Sequence, residues 1–219
     1  MTAVTNKIAL LPPLRQLISQ TDLEARKSLG QNFIFDMNLT QRIARTAAPL
    51  QGAVFEIGPG PGGLTRALFL EGAEKVIAIE KDRRAVRLLD HLVAATDGQL
   101  ILHEDDAMKL PIWEMSEAPR KIVANLPFNI ATALLLKWLA HANAFASLTL
   151  MFQKEVAKRL VAQPGDKSYG RLSIITQWLC QAELKFDVPP QAFIPPPKIM
   201  LSHLSNNFSN TVIFVLTFA

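Results

Sequence analysis

Apolar positions along the chain follow two different spacings, which predict a helical segment followed by alternating strands and helices. In the first fifty residues, two sets of apolar residues recur at the spacing of one helix face: Leu14, Leu17 and Ile18, and then Leu39, Ile43 and Ala47. The motif Gly30-Gln31-Asn32-Phe33 separates the two sets. We therefore expect residues 1–50 to form an N-terminal helical segment that carries a loop motif in its middle.

From residue 53 onward, short β-prone runs alternate with helical patterns. Five runs are predicted as strands: Ala53 to Ile57, Val76 to Ile79, Leu100 to Leu102, Ile122 to Ala124 and Leu148 to Phe152. Helical spacing occupies stretches between them, at Leu64 to Glu71, Arg83 to Ala95 and Thr132 to His141. This rhythm is typical of a doubly wound, mostly parallel sheet. We predict an α/β domain over residues 51–204.

Polar residues or glycines follow four consecutive predicted strands. In chain order they are Glu56 with the glycine loop after it, Glu80, the pair Asp105 and Asp106, and Asn125. Parallel sheets bind their ligands beyond the carboxyl ends of the strands, where the strand order reverses. Solvated loops are also polar, but the coincidence with strand ends favours a binding cleft along this edge.

Composition limits the classes of protein to which the chain can belong. With 219 residues and 49% hydrophobic content, the chain can bury one substantial core, so we expect one main domain. A net charge of +4 and a pI near 9.3 are compatible with a polyanionic partner. The single cysteine, Cys180, excludes an intramolecular disulfide and a cysteine-cluster metal site, and its apolar surroundings favour a buried thiol.

The N-terminal residues lack the basic and apolar regions of a signal peptide, and no stretch has the ~20 apolar residues of a membrane span. We therefore predict a soluble cytoplasmic protein. The first twenty-one residues contain Lys7 and Arg15 but no acid, which leaves an organelle transit peptide open.

The glycine loop after the first strand favours a ligand without phosphates. Gly58, Gly60 and Gly63 fit the G-x-G-x-x-G pattern of dinucleotide enzymes, so a dehydrogenase is one interpretation. A pyrophosphate needs backbone N–H groups, however, and Pro59 and Pro61 have none to give. The flat adenosyl group of S-adenosylmethionine requires only close approach to the glycines. Glu80 would then accept from the ribose hydroxyls of either cofactor, and Asp106 from the adenine amine.

The motif Asn125-Leu126-Pro127-Phe128-Asn129 suits the exocyclic amine of a base. The Asn125 side-chain carbonyl and the Leu126 main-chain carbonyl can each accept one N–H bond, while Pro127 restricts the turn that aims them. Phe128 offers a ring for stacking, worth ~1–3 kcal/mol in single-strand binders. Phe193 is a candidate for the opposite face of the base. Core packing is the alternative interpretation of both rings.

Six motifs follow one another between about Lys27 and Met200. They are Gly30-Gln31-Asn32-Phe33, Glu56 to Thr65, Asn125 to Asn129, Gln153-Lys154-Glu155-Val156, Tyr169-Gly170-Arg171-Leu172-Ser173 and Phe193-Ile194-Pro195-Pro196-Pro197-Lys198. In this order they resemble the motifs of the ribosomal RNA adenine-N6 dimethyltransferases, and most closely those of the bacterial enzymes that act on 16S rRNA.

The resemblance implies a Rossmann-like class I S-adenosylmethionine-dependent methyltransferase. It implies dimethylation of N6 on two adjacent adenosines near the 3′ end of 16S rRNA, during small-subunit biogenesis. By position, the donor-binding residues correspond to Asn32, Ile34, Gly58, Glu80, Asp106 and Asn125, and Gly60 of the glycine loop is a further candidate for donor binding. Phe128 stands where the nearest relatives usually have tyrosine. We expect no metal and no stable protein partner.

Five cations are candidates for contact with RNA phosphates, although a solvated helix face is the usual interpretation of such charge. They are Lys154, Lys158, Arg159, Lys167 and Arg171, and they outnumber Glu155 and Asp166 between residues 153 and 171.

The chain departs from the family pattern after the proline-lysine motif, where relatives continue with a strand and a small helical domain. We expect that C-terminal helical domain to be missing and residues 205–219 to form an aberrant tail. Two further functions stay open: a 23S rRNA adenine-N6 methyltransferase of the macrolide-resistance type, and a non-catalytic small-subunit assembly factor.

Overall fold

The computed structural model describes residues 2–19, 23, 30–196 and 211–218. The helices in these residues are α1 (Ala3–Ala9), α2 (Leu14–Ser19), α3 (Met37–Thr46), α4 (Gly63–Leu70), α5 (Arg83–Ala95), α6 (Phe128–Leu139), α7 (Lys154–Val161) and α8 (Arg171–Leu179). The strands are β1 (Phe33–Ile34), β2 (Ala53–Ile57), β3 (Lys75–Glu80), β4 (Leu100–Glu104), β5 (Arg120–Ala124), β6 (Ser147–Gln153), β7 (Gln181–Val188), β8 (Phe193–Ile194) and β9 (Thr211–Thr217).

Seven strands form one sheet in the order β4-β3-β2-β5-β6-β9-β7. The first five run parallel to one another, while β9 pairs antiparallel with both β6 and β7. The chain moves outward from β2 through β3 to β4, and then returns to place β5 on the other side of β2. The order therefore reverses between β2 and β5. The predicted α/β fold with a mostly parallel sheet is confirmed.

Helices cover both faces of the sheet, and the strand alternation divides the core into two clusters. Phe55 of β2 packs in a cluster with Trp138 of α6 and Leu160 of α7. Its neighbour Val54 points to the other face and packs in a cluster with Leu68 of α4. Because both faces are covered, β2 is buried at all five positions, as central parallel strands usually are.

The C-terminal residues contribute a strand to the sheet. The segment 211–217, which we expected to lie in an aberrant tail, forms strand β9 between β6 and β7. Phe214 and Leu216 are completely buried in the core. This strand fills an interior position because its apolar, β-prone residues offer the sheet both hydrogen bonds and side chains for packing. The predicted boundary between the α/β domain and the tail, at residues 204 and 205, lies outside the described residues.

Local sequence signals fix where the helices that flank the site begin. Asp36 caps α3 by accepting from the backbone N–H groups of Asn38 and Leu39, and Asp82 caps α5 by accepting from that of Arg84. Among the helices in the described residues, none has the length and apolarity needed to cross a bilayer.

Candidate active site

A cavity opens at the carboxyl ends of β2, β3, β4 and β5, where the strand order reverses. Its wall takes residues from the stretches 30–34, 56–64, 79–82, 105–108 and 125–130. Nine of the sequence-predicted site residues line it together: Asn32, Ile34, Gly58, Gly60, Glu80, Asp106, Asn125, Leu126 and Pro127. This is the position at which doubly wound sheets bind their ligands.

Two glycines of the loop after β2 pack so closely on the motif at residues 30–34 that neither has room for a side chain. Gly60 has φ +54°, and a Cβ there would lie 2.9 Å from the ring of Phe33. At Gly63, a Cβ would lie 2.8 Å from the main-chain oxygen of Ile34. The motif at residues 30–34 therefore packs directly on the loop. Gly58 has φ +69° and open space beside it, so its backbone stays accessible to a ligand in the cavity.

Glu80, at the end of β3, holds the glycine loop in place through a hydrogen bond. Its carboxylate accepts from the backbone N–H of Gly60 at 3.0 Å and from that of Asp82 at 2.7 Å. The side chain is only 6% exposed, and burial raises the pKa of the carboxyl above its ordinary value, against the opposing effect of these bonds. Each oxygen keeps a second lone pair that can accept from a bound hydroxyl.

Asp106 follows β4 and is held as an ionised acceptor. Its carboxylate accepts from Lys81 Nζ at 2.9 Å and from the backbone N–H of Met108 at 3.0 Å. The Lys81 ammonium is the main reason that the pKa of Asp106 lies below its usual range. An ionised carboxylate has lone pairs beyond these two bonds, so it can accept from a further amine.

The motif after β5 presents Asn125 to the cavity in a fixed orientation. The Asn125 side-chain Nδ2 donates to the main-chain oxygen of Asn32 at 2.9 Å. Because the nitrogen is occupied, Oδ1 remains the group available as an acceptor. Pro127 has φ −57° and precedes the first residue of α6, so the turn ends in a rigid helix start. Leu126 is 2% exposed and lines the same wall.

Glu56 also lines the cavity, although its place in the sequence predicted no role for it. It lies in the otherwise apolar strand β2 and is 1% exposed. Burial raises the pKa of its carboxyl to about 8, and the nearby Glu80 adds to this rise. Among the described residues, Oε2 has no hydrogen-bond partner. An acid within a wholly apolar strand was the sequence signal for this unusual environment.

The two aromatic candidates lie in different settings. Phe193 is 1% exposed and packs in the same core cluster as Ile34, because β8 pairs antiparallel with β1. It therefore has no free face for a base, and the stacking role that we expected does not fit this arrangement. Phe128 is half-buried and begins α6 between two wall residues, Pro127 and Asn129. Phe128 is not among the described residues that line the cavity. Its role in stacking on the substrate base therefore stays a prediction.

The five candidate RNA-contact cations lie on α7, α8 and the connection between them. Lys154 pairs with Asp187 at 2.6 Å and is partly buried. The other four are exposed, namely Lys158, Arg159, Lys167 and Arg171. None of the five is among the described residues that line the cavity. Their contact with RNA stays a prediction.

Comparison with known proteins gives a consistent family assignment. Residues 22–204 match the family model described as ribosomal RNA adenine dimethylase. Over 191 residues the chain is 57% identical to ribosomal RNA small subunit methyltransferase A of Rhodospirillum rubrum, covering 87% of this chain and 66% of that protein. It is 56% identical to the protein of the same name from Paramagnetospirillum magneticum, covering 88% and 69%. The chain thus spans about two thirds of the length of these relatives.

Two solved structures share the fold at lower identity. A dimethyladenosine transferase from Plasmodium falciparum matches with a TM-score of 0.72 at 30% identity, covering 85% of this chain and 63% of that one. A 23S rRNA methyltransferase, ErmE, matches with a TM-score of 0.68 at 27% identity, covering 86% and 70%.

Proposed function

Because the chain belongs to the ribosomal RNA adenine dimethylase family, we propose that it transfers methyl groups from S-adenosylmethionine to N6 of two adjacent adenosines near the 3′ end of 16S rRNA. The observation that carries the proposal is the meeting of the glycine loop and the Asn125–Pro127 turn in one cavity. Identity above 50% to small-subunit rRNA methyltransferases supports 16S rRNA as the substrate.

The polar groups of the cavity fit the donor from one end to the other. The ionised Asp106 suits the adenine amine, and Glu80 suits the ribose hydroxyls. The open space beside Gly58 admits a flat adenosyl group against the backbone. Glu56 supplies a buried carboxyl oxygen without a partner among the described residues, which a cationic amino acid group can satisfy. These groups therefore fit S-adenosylmethionine better than a pyrophosphate cofactor.

The Asn125–Pro127 turn provides what an adenine amine needs from the protein. The N6 lone pair is delocalised into the ring, which makes the amine a poor nucleophile. Asn125 Oδ1 and the Leu126 carbonyl can accept the two N–H bonds and shift the nitrogen toward tetrahedral geometry. The bond from Asn125 to Asn32 holds the amide so that its oxygen remains available. Phe128 offers an aromatic face next to this turn.

The reaction itself is a direct displacement. S-adenosylmethionine supplies a methyl group bonded to a positively charged sulfur, which leaves with the bonding electrons as S-adenosylhomocysteine while the amine loses a proton to solvent. The residues contribute mainly by positioning, from which well-oriented reactants gain about 7–11 kcal/mol. An adenine in a duplex cannot be held in this way, so the target adenosine is expected to be unpaired or flipped out.

Methylation of purified ribosomal subunits tests the proposal. Undermethylated small subunits and, separately, large subunits are incubated with the protein and labelled donor, and the modified nucleosides are mapped. We expect N6,N6-dimethyladenosine at two adjacent positions of 16S rRNA. Label confined to 23S rRNA would favour the macrolide-resistance type of activity instead. Binding of small subunits by both wild type and Asn125→Ala, with no methyl transfer by either, would favour an assembly factor.

A further inference from the structure

Lys137, in the last turn of α6, makes a contact that the sequence did not indicate. Its Nζ donates to three main-chain oxygens: those of Ala107 at 3.2 Å, Met108 at 2.8 Å and Leu110 at 2.8 Å. An ammonium has three N–H donors, so this one loop uses all of them. A lysine whose three N–H groups all bond to one short segment differs from the usual solvated lysine on a helix surface.

The loop that Lys137 holds forms the part of the cavity to which we assign the adenine of S-adenosylmethionine. Ala107 and Met108 line the cavity together with Asp106. The backbone N–H of Met108 also donates to the Asp106 carboxylate, so the position of this main chain helps to set the direction of that acid. A displacement of the loop would therefore change the contact proposed for the adenine amine.

The helix that carries Lys137 begins at the part of the same cavity where we propose that the substrate adenine binds. Helix α6 starts at Phe128, directly after the Asn125–Pro127 turn. Leu134, Leu135 and Trp138 of this helix are completely buried, so α6 is fixed to the sheet. Lys137 thus connects the loop at residues 105–110 to a rigid helix that begins directly after the Asn125–Pro127 turn.

The surroundings of Lys137 favour this fixed position. The ring of Trp113 lies 5.3 Å from Nζ, within the range of a cation–π contact, and Trp113 stacks on His141 at 3.6 Å. Burial lowers the pKa of Lys137, while the nearby Asp106 acts in the opposite direction. The three carbonyl oxygens and the aromatic face together compensate the cost of removing this cation from water.

We propose that Lys137 is a positioning residue that sets the adenine-selecting loop at residues 105–110 against the Asn125–Pro127 turn. This inference rests on the proposed function, because it assigns the adenine end of the donor to that loop. Lys137 acts through the main chain of the loop and does not touch the reacting atoms.

Ligand selectivity distinguishes positioning from a general contribution to folding. Calorimetric titration with S-adenosylhomocysteine and with S-inosylhomocysteine, whose ring carries an oxygen in place of the amine, gives two dissociation constants for each variant. In Lys137→Met we expect the first constant to rise about tenfold, since bonds to a charged donor are lost, and the second to change less than about twofold. Lys137→Arg, which keeps the charge and several N–H donors, should restore most of the selectivity.

Lys109→Met is the matched control, because Lys109 is an exposed cation of the same loop that also acts electrostatically on Asp106. It should retain the wild-type selectivity. Equal weakening of both ligands in Lys137→Met, or no change in either, would overturn the inference. Lys137→Gln gives the same comparison if the Met variant does not fold. A wild-type protein that binds neither compound would instead refute the proposed function, and with it the basis of this inference.

Discussion

Replacing Glu56 by glutamine should change how the stability of the protein depends on pH. The substitution keeps the shape of the side chain and removes its ability to ionise. Glu56 is 1% exposed, and burial raises the pKa of its carboxyl to about 8 from the ordinary value of 4.5. Between pH 4.5 and about pH 8, the folded protein therefore holds a proton that the unfolded chain has released.

The sign and size of the effect follow from these two values. Below pH 4.5 the carboxyl is protonated in both states, and its contribution to stability is fully present. As the pH rises from 4.5 toward 8, only the unfolded chain loses the proton, so the free energy of unfolding falls by about 1.36 kcal/mol per pH unit. Between pH 5 and pH 8 the loss reaches roughly 4 kcal/mol. Glu56→Gln should not show this loss.

Urea unfolding of the ligand-free proteins between pH 5 and pH 9 measures the difference. The variant should gain stability relative to wild type as the pH rises, and the gain should level off above pH 8. Glu80, whose pKa burial also raises, is present in both proteins and contributes to both curves. Glu74→Gln makes the same change at an exposed position and should follow wild type. Parallel curves for Glu56→Gln and wild type would show that Glu56 is ionised in the folded protein.

Three further changes test separate parts of the site. Gly60→Ala should weaken donor binding by at least tenfold in calorimetry and lower the melting temperature, because its Cβ would lie 2.9 Å from the Phe33 ring at a φ of +54°; wild-type affinity would contradict the loop geometry. Phe128→Tyr should retain methyl transfer, whereas Phe128→Ala should lose about tenfold to a hundredfold, as expected for a base stacked on the ring; equal rates for all three would exclude stacking. Changing the four exposed cations to glutamine should raise the KM for small subunits and reduce its dependence on salt, without affecting donor affinity; an unchanged salt dependence would exclude phosphate contact by Lys158, Arg159, Lys167 and Arg171.

The central sheet and most of the cavity could be predicted because the signals are local. Buried strands such as β2 have short apolar runs, and each is followed by a glycine loop or a polar residue that lies at the same sheet edge. Once the parallel order is known, the meeting of Glu80, Asp106 and Asn125 follows from topology. The family motifs pointed to the same residues.

Other features depend on contacts between distant parts of the chain, which spacing does not reveal. Phe193 is buried because β8 pairs with β1, a contact between segments about 160 residues apart in the chain. Lys137 looks like an ordinary helix-surface lysine until the loop at residues 105–110 is placed against α6. The position of β9 depends on pairing with two strands from earlier in the chain, and so a short apolar run near the end of the sequence was not assigned to the core.

A structure of the protein bound to S-adenosylhomocysteine tests the central claim most directly. We predict that the adenine amine faces Asp106, that the ribose hydroxyls contact Glu80, and that the thioether sulfur faces Asn125 Oδ1 and the Leu126 carbonyl. A ligand bound outside this cavity, or bound with its sulfur directed away from Asn125, would contradict the account.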